Sequence, residues 1–155
     1  MQQKQNGQKH ILNWLPKMEF WFSNQAPKIN WEAIEQKAGA ATRAASATVL
    51  GVLATQVENM IVASADLSNS DKTDGFLKKT HAFTKGDFTG AFLQAGVAEL
   101  TMACCCIGMA LHGGVIPACG TFFVFSDYMK PAVRHGSPDG SSREVHLDTR
   151  CLPCR

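Results

Sequence analysis

The sequence has no block of one charge. Its 15 Lys and Arg are set against 13 Asp and Glu, a formal net charge of +2, and the basic residues are scattered. Phosphate backbones are held by clustered cations, so no nucleic acid is expected as a partner. Internal repeats and low-complexity tracts are also missing. The amino terminus lacks the apolar core of a secretion signal: Met1 to His10 is polar and rich in Gln and Lys, which predicts a cytoplasmic protein. From Leu100 to Phe125 there is no Asp, Glu, Lys or Arg. That length could cross a bilayer. However, Gly113, Gly114 and Pro117 interrupt it midway, and Asp127 and Lys130 close it without an aromatic belt. A buried helix followed by a buried strand fits better, and no membrane partner is expected.

What is present suits one folded domain. A chain of 155 residues, 45% hydrophobic and 18% charged, can bury a real core. Of the six cysteines, Cys104, Cys105 and Cys106 are consecutive on a predicted helix. They point in different directions and cannot share one metal ion. Small, reduced residues of a cytosolic core are the simplest reading. Cys151 and Cys154 have the spacing of half a zinc knuckle or of a redox pair, and half a site is a weak signal. No metal ligand is predicted within the chain.

Taken in order, the chain opens with a segment read as a linker, residues 1–27. Trp14, Leu15, Met18, Phe20, Trp21 and Phe22 give it an apolar character, Pro16 interrupts it and Pro27 ends it. Such aromatics are expected to lie against a neighbouring surface. Asn30 can cap a short helix from Trp31 to Lys37. Ala40 to Thr55 reads as a helix with a broad apolar face. Arg43, near its start, opposes the helix dipole, so it serves either a ligand or only the solvated surface. Met60 to Ala65 reads as a buried strand ended by Asp66, and Ser68 to Gly75 as a polar loop. In an open parallel sheet, ligands gather at the carboxyl ends of strands, which is where Asp66 and Ser70 fall. The alternative for Asp66 is a turn residue bonding its own backbone. Phe76 to Thr89 reads as irregular and Ala91 to Ala95 as a short strand. Glu99 opens a helix that runs to about His112, where Gly113 and Gly114 stop it. A strand, Val115 to Cys119, and a helix, Asp127 to Arg134 capped by Ser126, complete the pattern. Strand and helix alternate, so the expected fold is α/β, a parallel sheet flanked by helices.

Several stretches are more specific. Gly96-Val97-Ala98-Glu99-Leu100 places one carboxylate at the mouth of a helix, and Phe122, Phe125 and Tyr128 follow at a spacing of three. Added to these are Ala41-Thr42-Arg43, Ser64-Ala65-Asp66-Leu67, and the run from Gly120-Thr121-Phe122 through Ser126-Asp127-Tyr128 to Arg134. On these residues, roughly Leu15 to Arg134 resembles the central, pyrimidine-binding domain of transketolase, a thiamine-diphosphate enzyme. The run from Gly120 favours transketolase over deoxyxylulose-phosphate synthases and the thiamine-dependent subunits of 2-oxoacid dehydrogenases. The resemblance implies the pyrimidine-domain fold over residues 28–134. It also implies transfer of a two-carbon ketol unit between sugar phosphates, in the pentose phosphate pathway. It gives Glu99 the catalytic role, a carboxyl touching the aminopyrimidine ring. Asp66, Leu67, Phe122, Phe125 and Tyr128 would surround the cofactor, while Arg43 and Ser70 would hold the substrate phosphate. Where the family has Gly-Val-Arg-Glu-His, this chain has Ala98 and Leu100, so contacts from those two positions are not expected.

The same resemblance implies a homodimer, and a divalent metal, magnesium, held with the diphosphate by a Gly-Asp-Gly…Asn motif. No such motif occurs in the sequence. The chain therefore reads as a truncated fragment, expected to be inactive alone. A non-catalytic interaction module with the same fold is the alternative. Residues 135–155 break the resemblance and read as an aberrant tail. Back-translated with allowable codons and read one nucleotide later, Asp139 to Arg155 gives M-E-V-P-V-K-Y-I-W-T-H-D-A-F-R-V-G, similar to the family's continuation. A frameshift near His135 is the expectation, with Cys151 and Cys154 as its accidents.

Overall fold

A computed structural model describes residues 14–23, 25–136 and 147–148. A first helix, α1, spans 14–22. It falls within the segment read as a linker, where Pro16 had suggested a break. Proline in a first helical turn costs little, because the amide it lacks has no partner there in any case. At Asn30, the side chain accepts from the Glu32 N–H at 3.2 Å, but only a single 3-10 turn follows, Trp31–Ala33.

The alternating pattern begins with α2 (Thr42–Gln56), an Ala-rich helix, and β1 (Met60–Ser64). Two one-turn helices, α3 (Ser68–Asp71) and α4 (Asp74–Leu77), occupy most of the stretch read as a loop. Then come β2 (Phe92–Gln94), α5 (Glu99–His112) and β3 (Ile116–Gly120). A 3-10 turn, Phe123–Phe125, leads into α6 (Ser126–Gly136), and Leu147–Asp148 form a two-residue β4. The boundaries of α5 are those expected: an acid begins it and Gly113, at φ +80°, ends it.

The sheet is parallel throughout, in the order β2-β1-β3-β4. Ser64 is level with Gln94 on one side and Gly120 on the other, so three strands end on one line. Alternate strand residues feed two separate cores, as the two-residue period of a strand requires. On one face Ala63, Ala65 and Cys119 pack with Met102, Ala103, Cys106 and Ile107 of α5 and with Met129 and Ala132 of α6. On the other, Met60, Val62 and Phe92 pack with Phe76 of α4 and with Leu50 and Leu53 of α2. Phe92 and Met102 are completely buried, worth about 2 to 3 kcal/mol each. This is the parallel sheet between helices that the alternating pattern predicted.

The cysteines divide as their spacing requires. Cys106 is buried, Cys104 and Cys105 are exposed, and these three and Cys119 are free thiols. The Cys106 thiol beside it, together with burial, pushes the Cys119 thiol far above its usual range, so it stays protonated. Cys151 and Cys154 lie outside the described residues. Helix α1 docks at the far end of the molecule from the strand carboxyl ends. Phe22 meets the His112 ring edge-on at 5.9 Å, and Lys17 pairs with Glu58 at 2.8 Å. Among the described residues no helix is long and apolar enough to cross a membrane.

Candidate functional site

The line of strand ends at Ser64, Gln94 and Gly120 forms the floor of the site. Each strand delivers one group of candidate residues just beyond its carboxyl end. Asp66 and Leu67 follow β1, Glu99 follows β2 across a short loop, and Phe122 follows β3.

Glu99 is the first residue of α5 and is only 8% exposed. The helix cap at Ala98 contributes no side-chain bond, so the positive end of α5 is answered by this carboxylate. Among the described residues no side chain or amide hydrogen-bonds it. A carboxylate in that setting is free to bond a group from outside. Phe122, Phe125 and Tyr128 form one continuous row. The first two rings are 6.1 Å apart at 24°, the second pair 6.3 Å apart at 26°. The turn from 3-10 to α-helix at Ser126 keeps three-residue spacing on one side, which is why three sequence positions become one face. Tyr128, 63% exposed, leaves the outer end of the row open.

Asp66 has φ +62°, a left-handed conformation that is rare for a residue other than glycine. Strain of that kind gathers at functional loops. Its loop returns through Ser70, whose backbone carbonyl accepts from Arg43 Nη1 at 3.4 Å. Arg43 and Ser70, far apart in sequence, therefore meet at the mouth of the same strand end. No hydrogen bond among the described residues ties Glu99 or Asp66 to the other candidates. They share an edge of the sheet, and any common partner must come from outside the chain.

Sequence reasoning passed over a cluster beside them. Asp71 accepts from the Ser64 hydroxyl at 2.9 Å and from the Thr73 amide and hydroxyl, both at 2.8 Å. Asp-x-Thr after a strand is the pattern of a side chain capping its own turn, and that signal was available. A small cavity of about 30 Å³ is lined by Arg43, Asp71, Thr73 and Thr121, among others. Among the described residues no three His, Cys, Asp or Glu side chains converge as a metal site.

A parallel α/β domain that gathers an acid, an aromatic face and an Arg–Ser contact at its carboxyl edge has the form in which small ligands are held. Comparison with known proteins gives the particular family. Residues 38–150 match the family "Transketolase, pyrimidine binding domain". A transketolase of Bacillus subtilis is 40% identical over 121 residues, covering 76% of this chain and 18% of its own length. The corresponding figures for Aquifex aeolicus transketolase are 43% over 113 residues, 72% and 16%. Among solved structures, transketolase from Leishmania mexicana superposes with a TM-score of 0.69 at 30% identity, over 77% of this chain and 18% of that one. A Pichia stipitis transketolase in complex with sedoheptulose-7-phosphate gives the same TM-score and identity, over 77% and 19%. The chain belongs to the transketolase pyrimidine-binding domain family. It spans less than a fifth of the length of these relatives.

Proposed function

We propose that this chain is a piece of a transketolase, the part that holds the aminopyrimidine half of thiamine diphosphate. The observation that carries the reading is the pairing of Glu99, buried and without a protein partner among the described residues, with the aromatic row at the same sheet edge. A flat heterocycle with ring nitrogens needs such a face and one such acid, so the residues fit the cofactor. When bound, the cofactor supplies the electron sink for breaking and remaking the carbon–carbon bond beside a ketose carbonyl. Glu99 holds and moves a proton at the ring nitrogen. Phe122, Phe125 and Tyr128 stack on or edge the ring, and Asp66 and Leu67 complete the wall. Arg43 and Ser70 take the phosphate of the sugar, a pairing suited to an anion with several acceptor oxygens. Sugar phosphate is also what the Pichia stipitis relative was crystallised with.

In the whole enzyme, this domain serves a homodimer in the cytoplasm. The diphosphate and its divalent metal fall to the part of the family's length that lies outside this sequence. The domain proper is 28–134, preceded by a linker, and the residues from His135 onward are read in a shifted frame. The family match itself covers residues 38–150, past this boundary. Resequencing the locus tests this, and an unbroken frame whose codons cannot encode the Thr-His-Asp continuation would sink it.

The functional reading is tested by Glu99→Gln in a frame-restored, full-length enzyme. Turnover should fall by about a hundredfold or more, the scale of lost acid–base catalysis, with little change in sugar affinity. Equal turnover in mutant and parent would remove Glu99 from its role.

A further inference from the structure

Two of the segments that carry the proposed site are the Asp66–Ser70 loop after β1 and the run from Gly120 to Tyr128 after β3. Asp71 stands between them and has no role among the contacts assigned above. Its Oδ1 takes both the amide and the hydroxyl of Thr73, and its Oδ2 takes the Ser64 hydroxyl. The Ser64 oxygen, donating to Asp71, in turn accepts the Leu67 N–H at 3.3 Å. Both ends of the loop are thus tied, through one carboxylate, to the end of the central strand. A loop fixed at both ends can hold Asp66 in its left-handed conformation.

On its other side Asp71 meets β3. A Cβ on Gly120 would lie 2.6 Å from Thr73 Cγ2 and 3.2 Å from Asp71 Oδ2, so only glycine lets the strand pass this close. The next residue, Thr121, is 1% exposed, and its hydroxyl is buried with no partner among the described residues. A buried hydroxyl left unpaired keeps its full desolvation cost. Thr121 and Asp71 line the same cavity of about 30 Å³. That is room for one water, and among a lining that also includes Leu50, Val62, Ala118 and Cys119, the Asp71 carboxylate, two threonines, Ser46 and Arg43 offer it polar partners.

We propose that Asp71 is the positioning residue of this site. It fixes the Asp66–Ser70 loop directly, and it fixes the start of the aromatic run through one buried water shared with the Thr121 hydroxyl. The proposal deepens the function given above and rests on it for what the two segments hold.

The test uses the full chain, isotope-labelled, with thiamine as the probe. In Asp71→Ala, amide exchange at Leu67 and Thr73 should rise about three- to tenfold, the value of one lost hydrogen bond, while the amides of α5 keep their rates. The thiamine dissociation constant, read from resonance shifts, should rise about threefold or more in the same variant. Asp71→Asn should restore both, because an amide still accepts from Thr73 and can donate to Ser64. If Asp71→Ala does not fold, Ser64→Ala replaces it and should raise exchange at Leu67 while Thr73 stays protected. Unchanged exchange at Leu67, or a rise shared equally by α5, would overturn the positioning role. Loosened exchange with unchanged thiamine affinity would also overturn it. If the parent chain binds thiamine too weakly to read, exchange at Leu67 and Thr73 decides by itself whether Asp71 ties the loop. A high-resolution crystal structure should show one water bonded to Thr121 Oγ1 and the Asp71 carboxylate, and a dry cavity would overturn that half.

Discussion

At Asp87 three contacts converge on one exposed carboxylate. Oδ1 accepts the Thr89 hydroxyl at 2.6 Å and the Thr89 N–H at 3.0 Å, while His81 Nε2 lies 3.8 Å from Oδ2. The Thr89 hydroxyl foremost, then its amide, holds the Asp87 carboxyl below its ordinary 3.8. The folded value is the lower one, so the contribution to the folded loop is present above the unfolded pKa. It is lost as pH falls through the folded pKa. The Thr89 amide resonance should therefore titrate with a midpoint below 3.8, and Asp87→Asn should remove the transition. A midpoint at or above 3.8 in the folded chain would contradict the contact. Residues differ in how far their sequence betrays them. Phe122, Phe125 and Tyr128 were legible as a row from their spacing, because a tight turn followed by a helix keeps such residues together, but on spacing alone the row read as core and only the family resemblance set it around a ligand. Asp71 was legible only in part: Asp-x-Thr marks the two bonds that close its own turn, while the third reaches back to a strand end. No periodicity marks such a residue.

At the scale of elements, α2 and α4 cross at glycine. A Cβ on Gly75 would come within 2.8 Å of Ala47 Cα and 2.9 Å of Ala47 C, which is backbone and cannot turn aside. Gly75→Ala should destabilise the domain by about 1 to 3 kcal/mol, the range for overpacking, measured by chemical denaturation. A loss no larger than at an ordinary surface site would mean that the two helices part easily. The same crossing explains why α3 and α4 were missed. Each has four residues in a polar run, too short for an apolar stripe, and they are held by Asp71 and by packing on α2. By contrast α5 was read closely, from Glu99 to about His112, because an acid, a long uncharged apolar segment and a positive-φ glycine mark its beginning, body and end. Helix α1 was misread for the opposite reason: Pro16 looked like an interruption but sits in the first turn.

For the whole molecule, the order of strands and helices was legible because each buried strand is a short apolar run and each helix keeps one apolar side. What the order could not give is the level ending of three strands, which comes from register. That common edge is where Glu99, the aromatic row and the Arg43–Ser70 contact assemble. An acid and three rings supply only a few kcal/mol before the entropy of association is subtracted. Under the proposed function, the larger anchoring of a diphosphate would come from a metal and fixed donors outside these residues.

The most direct measurement is a resonance-detected titration of the full chain with thiamine diphosphate and magnesium. The account predicts weak binding, well above micromolar, with shifts centred on Glu99, Phe122, Phe125 and Tyr128. A micromolar or tighter constant, or shifts that leave those four residues untouched, would contradict it.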